Sequence, residues 1–321
     1  MAAHILLLGA GFSANWGGPL AQDFFNWLLQ RPEIAADNRL KKLLWDHRTA
    51  GGFENALSQV QTDYLLSPSA DSKARLDAFQ NAVNGSFAEM DVGFARRATW
   101  DFNNEIGRLL VDFLIGFDAI FTLNQDLLFE RFYMNDNVTL ASRQRWNGCI
   151  IPGMHTLPNA TIPFDVGQMT RVPDPDNFKV LERFQPYFKL HGSYRWQDGT
   201  GNRLMVMGGS KSVAIQSNKV LQWYFSEFRR HLSLGATRLM VIGYGFGDPH
   251  INEAIASAEP NGLRMFIVDP LGVDVANPTR ALPLRMPNPF QNVIESASQI
   301  PVNRIFGDNV VEHARLMKFF Q

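Results

Sequence analysis

Three short runs, far apart in the chain, hold the residue types that a nucleotide-handling site needs: Gly9-Ala10-Gly11-Phe12-Ser13, Thr122-Leu123-Asn124-Gln125-Asp126 and Lys189-Leu190-His191-Gly192-Ser193. In the first, small side chains let backbone N–H groups approach a pyrophosphate, and the Ser13 hydroxyl adds a donor. The next glycine is Gly17, which departs from the spacing G-x-G-x-x-G, so an ordinary strand-to-helix turn competes with this reading. Asn124 and Asp126 lie two apart, and an extended chain would point both into one crevice. There an amide can hold a water or a sugar hydroxyl and a carboxylate can accept from a carboxamide; capping of the following helix is the competing use. His191, as a neutral imidazole, could take or relay a proton from a ribose hydroxyl, and Gly192 leaves room for a ligand; a structural histidine is the alternative. His250, beside Asp248 and Pro249, starts a helix near the same crevice.

A fourth run, Gly243-Tyr244-Gly245-Phe246, repeats the logic of the first, and Asp269 ends a later strand where a carboxylate could meet a ribose or an adenine edge. Each run follows a short, continuous apolar stretch, the pattern of a strand buried on both faces of a parallel sheet: Ile5 to Leu8, 118–123, Tyr187 to Leu190, Arg238 to Ile242 and Arg264 to Val268. Ligands bind at the carboxyl ends of such strands. Helices are expected near 20–29, 126–134, 217–232, 250–258 and 310–319, and a short strand near 204–207. Leu40, Leu43, Leu44, Ile106, Leu109, Leu110, Phe113 and Leu114 recur at helical spacing and predict a helical insertion. Pro152, Pro158, Pro163, Pro173 and Pro175 break up 135–180, which predicts an irregular lobe with a short hairpin, and Pro278, Pro283, Pro287 and Pro289 mark a later loop. The expected fold is α/β: a Rossmann-like parallel sheet with helices on both faces, plus a helical insertion and a small irregular lobe. One domain is expected, its core at about 1–30, 117–134 and 184–275, the insertion at 31–116, the lobe at 135–183 and a C-terminal segment at 276–321.

With 321 residues, 45% hydrophobic and 12% aromatic, the chain has material for a sizeable core. A formal net charge of −1 supplies no general attraction for nucleic acid or an anionic membrane, so neither is expected as a direct partner. No apolar stretch approaches the roughly 20 residues that span a bilayer. The start of the chain reaches strand sequence at His4 without a basic leader, which predicts a cytoplasmic protein. The single cysteine, Cys149, cannot form an intrachain disulfide or a paired-cysteine zinc site, and no metal is expected. Trp100 and Phe102 could belong to the core or to an interface between copies.

The order of these motifs over most of the chain resembles the sirtuin family, the silent information regulator proteins. The resemblance implies a Rossmann-like domain that takes NAD as substrate and cleaves its nicotinamide–ribose bond. It implies cofactor contacts from Gly9, Ala10, Gly11, Phe12 and Ser13, a nicotinamide pocket lined by Asn124 and Asp126, His191 as catalytic base, and an adenosine half bordered by Gly243, Tyr244, Gly245 and Asp269. Protein-deacylating sirtuins hold a structural zinc with four cysteines, and Leu20-Ala21-Gln22-Asp23-Phe24 replaces their Asp-Phe-Arg-Ser run. The chain is therefore more similar to the zinc-free NAD hydrolases of bacterial anti-phage defence. That similarity implies nicotinamide and ADP-ribose as products, with Asn124, Asp126 and His191 as the catalytic set. It further implies control by homo-oligomerisation or by a partner such as a motor-type ATPase or an Argonaute-like protein. An NAD-dependent protein deacylase or ADP-ribosyltransferase, and a non-catalytic NAD or ADP-ribose sensor, are the alternatives.

Overall fold

Six strands of one sheet end at the same level. In the register of a computed structural model, Ser298, Val268, Ile242, Leu8, Thr122 and Lys189 are successive partners across the sheet. The structure describes residues 2–49, 52–102, 109–134, 145–157, 169–209, 211–277 and 288–321. Ile106, Pro158, Pro163, Pro278, Pro283 and Pro287, which carried part of the expectations above, lie outside them.

The sheet has seven strands: β1 (His4–Leu8), β2 (Ala119–Thr122), β3 (Cys149–Ile150), β6 (Gln185–Lys189), β9 (Arg238–Ile242), β10 (Arg264–Val268) and β11 (Ile294–Ser298). Their order is β11-β10-β9-β1-β2-β6-β3, and every pairing is parallel. The order runs outward from β1 through β2 and β6 on one side and through β9 and β10 on the other, which is the doubly wound, Rossmann-like arrangement with its switch point between β1 and β9. A second sheet, β4 (Met154–Thr156), β5 (Arg171–Pro173), β7 (Gly192–Gln197) and β8 (Arg203–Met205), includes the expected hairpin, since β4 and β5 pair antiparallel.

Alternation along the strands explains why both faces of the parallel sheet are apolar. Phe121 and Phe188, register partners stacked at 5.0 Å, share one face with Phe228, and Tyr187 on the other stacks on Phe129 at 4.4 Å. The helices involved are α8 (Leu128–Phe132) and α10 (Lys219–Leu232), the latter capped by the Asn218 side chain. α2 (Phe24–Leu29) precedes the span 31–116 expected as a helical insertion, and α3 (Pro32–Ala35), α4 (Asn38–His47), α5 (Gly52–Leu66), α6 (Ala70–Ala95) and α7 (Leu110–Leu114) lie within that span. Ser69 and Ser72 close a reciprocal capping box at the start of α6. Trp100 is core: it stacks on Trp16 at 5.9 Å, and its carbonyl accepts from the Trp16 indole.

Some boundaries differ from the sequence reading. The first helix, α1 (Ala10–Ala14), starts directly after β1, and a turn at 21–23 precedes α2 where one helix from Leu20 was expected. The expected helix at 217–232 is α10, which starts after the capping Asn218, and the helix before it, α9 (Lys211–Ser217), was not expected. α11 (Pro249–Ala256) starts one residue before the expected span of 250–258 and ends inside it, and α13 (Val310–Met317) matches the expected C-terminal helix. Strand β11 and helix α12 (Val302–Ile305) were not expected. Among the described residues, no helix is long and apolar enough to cross a membrane.

At the switch point the loops after β1 and β9 touch through their backbones. A Cβ on Gly9 would sit 2.5 Å from the Gly243 carbonyl oxygen and 2.6 Å from the Tyr244 Cα. Gly9→Ala should therefore destabilise the protein by about 1–3 kcal/mol, the ordinary cost of overpacking. Gly93→Ala, where a Cβ meets nothing within 4 Å on α6, should be neutral or stabilising. Urea midpoints of the two variants test this, and equal midpoints would show that the loops separate freely.

Candidate active site

Ser13, Asn124 and Asp126 form one buried network above the row of strand ends. The Asn124 amide donates to the Gly9 carbonyl at 3.0 Å and to Ser13 Oγ at 3.1 Å, and Ser13 Oγ donates to Asp126 Oδ2 at 2.8 Å. Asp126 Oδ1 accepts from Leu128 N at 3.0 Å, so the carboxylate also caps α8. Capping and participation in the cluster are thus both properties of this side chain. The loop after β1 uses its own backbone donors: Gly9 N–H bonds to the Ile242 carbonyl, Gly11 N–H to the Gly243 carbonyl and Phe12 N–H to the Gly9 carbonyl. Phe12 is buried against Trp16, whereas Ala10 is exposed.

Beneath this network lies a pair that the sequence reading missed. Lys189, fully buried, donates to Glu130 Oε1 at 2.7 Å and to the Asp126 carbonyl at 2.5 Å, and the Tyr187 hydroxyl donates to Glu130 Oε2 at 3.4 Å. Burial pushes the Glu130 carboxyl up, against the pull of the Lys189 ammonium. A lysine inside an apolar strand was the available signal, because such a charge needs a buried partner.

His191 follows Lys189 by two residues, as Asn124 follows Thr122, and Thr122 and Lys189 are register partners. The His191 Nε2 lies 3.0 Å from the Nε2 of His250, so one imidazole donates to the other. His191 is held down to about 3 by burial first, with Lys211 and His250 adding to the effect and Asp248 opposing it. Its ring is therefore neutral at physiological pH. Lys211 Nζ bridges Asp248 Oδ1 at 2.7 Å and Glu54 Oε2 at 2.8 Å, tying α5 of the insertion to the turn before α11. His191, Asp248 and His250 offer atoms within 4.8 Å of one another that could hold a metal ion, but the Lys211 ammonium already occupies the carboxylate. Gly192, φ +69°, is required by the Leu204 carbonyl of the neighbouring strand, which a Cβ would strike. The space that Gly192 leaves is therefore filled by backbone, not by a ligand.

The glycine-rich turn is braced by Tyr244, whose hydroxyl donates to Asn252 Oδ1 at 2.9 Å and accepts from Asp248 N at 3.1 Å. Gly243 adopts φ +63° against Gly11, and Gly245 follows in the same turn. Asp269 accepts from Leu271 N at 2.9 Å at the end of β10. A cavity of about 210 Å³ lies near this turn, with Phe246, Asn252 and Phe290 in its wall.

A family model described as a SIR2-like domain matches residues 118–270, a span that contains Asn124, Asp126, His191 and Gly243. No curated protein matches the sequence. Among solved structures, the chain is similar to a triple mutant of a Sir2 homologue in complex with 2′-O-acetyl ADP-ribose, at a TM-score of 0.44 and 13% identity over 98% of this chain and 92% of that one. It is also similar to a Sir2 homologue–NAD complex, at 0.44 and 12% over 98% and 90%, and to a Sir2 homologue mutant–ADP-ribose complex, at 0.42 and 12% over 99% and 94%.

Unfolded, His191 binds its proton near 6.5; folded, near about 3. Between those values the unfolded chain holds the extra proton, so this contribution to stability is complete above about 6.5 and is lost as the pH falls through that window. His191→Gln should show a shallower fall of the urea midpoint between pH 6.5 and 4 than the parent protein. A residual slope should remain, because His4, His231 and His250 are lowered by burial in the same direction. An unchanged slope would mean that His191 is not buried in its neutral form.

Proposed function

We propose that the chain is an NAD hydrolase that releases nicotinamide and ADP-ribose. The observation that carries this reading is the convergence of Ser13, Asn124, Asp126 and His191 just beyond one row of strand ends beside the switch point, where doubly wound sheets take nucleotides. The SIR2-like match over 118–270 supports it. In the reaction, the bond from the ribose C1′ to nicotinamide breaks with its electron pair leaving on nicotinamide. Water forms the new bond at C1′ and gives up a proton. The Asn124 amide orients the water or a ribose hydroxyl, and Asp126, with lone pairs beyond those used by Ser13 and Leu128, accepts from the carboxamide. His191 accepts the proton.

The arrangement described above is a closed one. NAD must draw the Asn124 amide from its bonds to Gly9 and Ser13, and His191 from His250. Opening would hydrate His191 and return its proton affinity toward the ordinary imidazole range, making it a competent base only then. This supports a regulated effector, of the kind used in anti-phage defence, opened by self-assembly or by a motor-type ATPase or Argonaute-like partner.

Incubation of the full chain with NAD, followed by chromatography, should yield nicotinamide and ADP-ribose in equal amounts. Asn124→Ala and His191→Ala should each lower turnover at least about 100-fold, the scale of a lost acid–base group. Product formation only with an acylated peptide would identify a deacylase. Tight NAD binding without products, in the presence of the neighbouring gene products as well, would identify a sensor.

A further inference from the structure

We infer that Lys211 is the clasp of a closure built into the fold: it holds α5 of the helical insertion to the turn that carries Asp248, and parting Glu54 from Lys211 lets His250 leave His191. The consequence for turnover rests on the proposed role of His191 as base. Lys211 opens α9, and its ammonium lies 2.8 Å from Glu54 Oε2 and 2.7 Å from Asp248 Oδ1. Glu54 is in the first turn of α5; Asp248 precedes α11, and two residues on, His250 meets His191 at 3.0 Å. A chain of three polar contacts thus runs from the insertion to the imidazole.

The contact along α5 is polar. Glu54, Ser58 and Gln61 recur four and three apart, so they form one stripe on the helix. The loop between β8 and α9 lies on that stripe: a Cβ on Gly209 would sit 2.5 Å from Ser58 Oγ, and one on Gly208 3.6 Å from the Glu54 carbonyl oxygen. The apolar residues of α5, Phe53, Ala56, Leu57 and Val60, are buried in the core. Parting the polar stripe exchanges its bonds for bonds to water, whereas parting the apolar side would expose hydrocarbon. The stripe is therefore the plane along which the insertion separates at least cost.

Glu54 is the weaker end of the bridge. Its side chain is 32% exposed, against 14% for Asp248. Burial pushes the Glu54 carboxyl up despite the pull of Lys211; for Asp248 burial is outweighed, in part by the Lys211 ammonium, and the carboxyl is held down. The insertion has a second and firmer attachment, in which Arg131 of α8 meets Asp91 of α6 through a forked pair of bonds at 3.1 and 2.7 Å and Asp91 is buried. Release at Glu54 therefore leaves α6 docked.

Acylation of histidines by diethyl pyrocarbonate on the full chain, read by peptide mass spectrometry, tests the clasp without reference to turnover. In the parent protein the buried His191 and His250 should react far more slowly than the exposed His155. Glu54→Ala and Lys211→Met should each speed acylation of His250 by about tenfold or more, as when one partner is taken from a buried ion pair, with His155 unchanged. Lys211→Arg, which still spans two carboxylates, should keep the parent rate, and so should Lys42→Gln, which removes an exposed ion pair of α4. The buried Cys149 thiol should stay unreactive throughout, which separates local opening from unfolding. Parent rates at His250 in folded Glu54→Ala and Lys211→Met would overturn the proposal, as would a His250 as reactive as His155 in the parent. Faster acylation of His250 without NAD turnover in any variant would uphold the clasp and count against the hydrolase reading alone.

Discussion

The backbone contact between the loops after β1 and β9 is the constraint on which the site depends. With no side chain at Gly9, Gly11 or Gly243, the Gly11 N–H reaches the Gly243 carbonyl at 2.9 Å and the two halves of the sheet close on each other. That contact fixes the Gly9 carbonyl, which accepts from Asn124 and so locates the segment after β2. Ser13, one turn into α1, then falls between Asn124 and Asp126. Three segments more than a hundred residues apart are thus set by main-chain geometry before any ligand arrives.

A second layer of order comes from polar groups that the core must satisfy. Lys189 and Glu130 attract each other without water to weaken the pull, but removing both from water is costly, and the geometry repays it only because the Asp126 carbonyl and Tyr187 complete the set. The Gln185 amide donates to the Leu114 and Phe117 carbonyls while its oxygen accepts from the Tyr133 hydroxyl. These bonds hold β6 against α7 and α8 in one register. A slip of β6 would break them together, so they fix where His191 leaves the sheet.

The parallel strands were legible because burial on both faces leaves a continuous apolar run, as in Ile5-Leu6-Leu7-Leu8 and Arg238 to Ile242. β11, Ile-Glu-Ser-Ala-Ser, was not, since an edge strand is apolar on one side only and its residues read equally well as loop. The glycines of the first loop read as a turn, while the five-residue α1 inside it has no periodicity long enough to see. At the site, the strand ends pointed to Asn124, Asp126 and His191, because residue type and strand position are local properties. The pairing of Lys211 with Glu54 and Asp248, like that of His191 with His250, joins residues from separate elements, and no local pattern carries that information. Gly192 was misread for the same reason, its neighbour being the backbone of another strand.

The position of β1 at the middle of the sheet has a consequence for how the protein is made. β1 leaves the ribosome before β2 and β9, both of which it needs as neighbours, and β9 ends at Ile242. Until then β1 has one bare edge, the Gly9 loop has no opposing backbone and His191 has no His250. At the roughly 5–20 residues per second of synthesis, the whole stretch between β1 and β9 must be made before the two halves can meet. The contacts that assemble the cleft therefore wait for β9 and His250, and a truncated or stalled chain ending before them carries its polar residues without their arrangement.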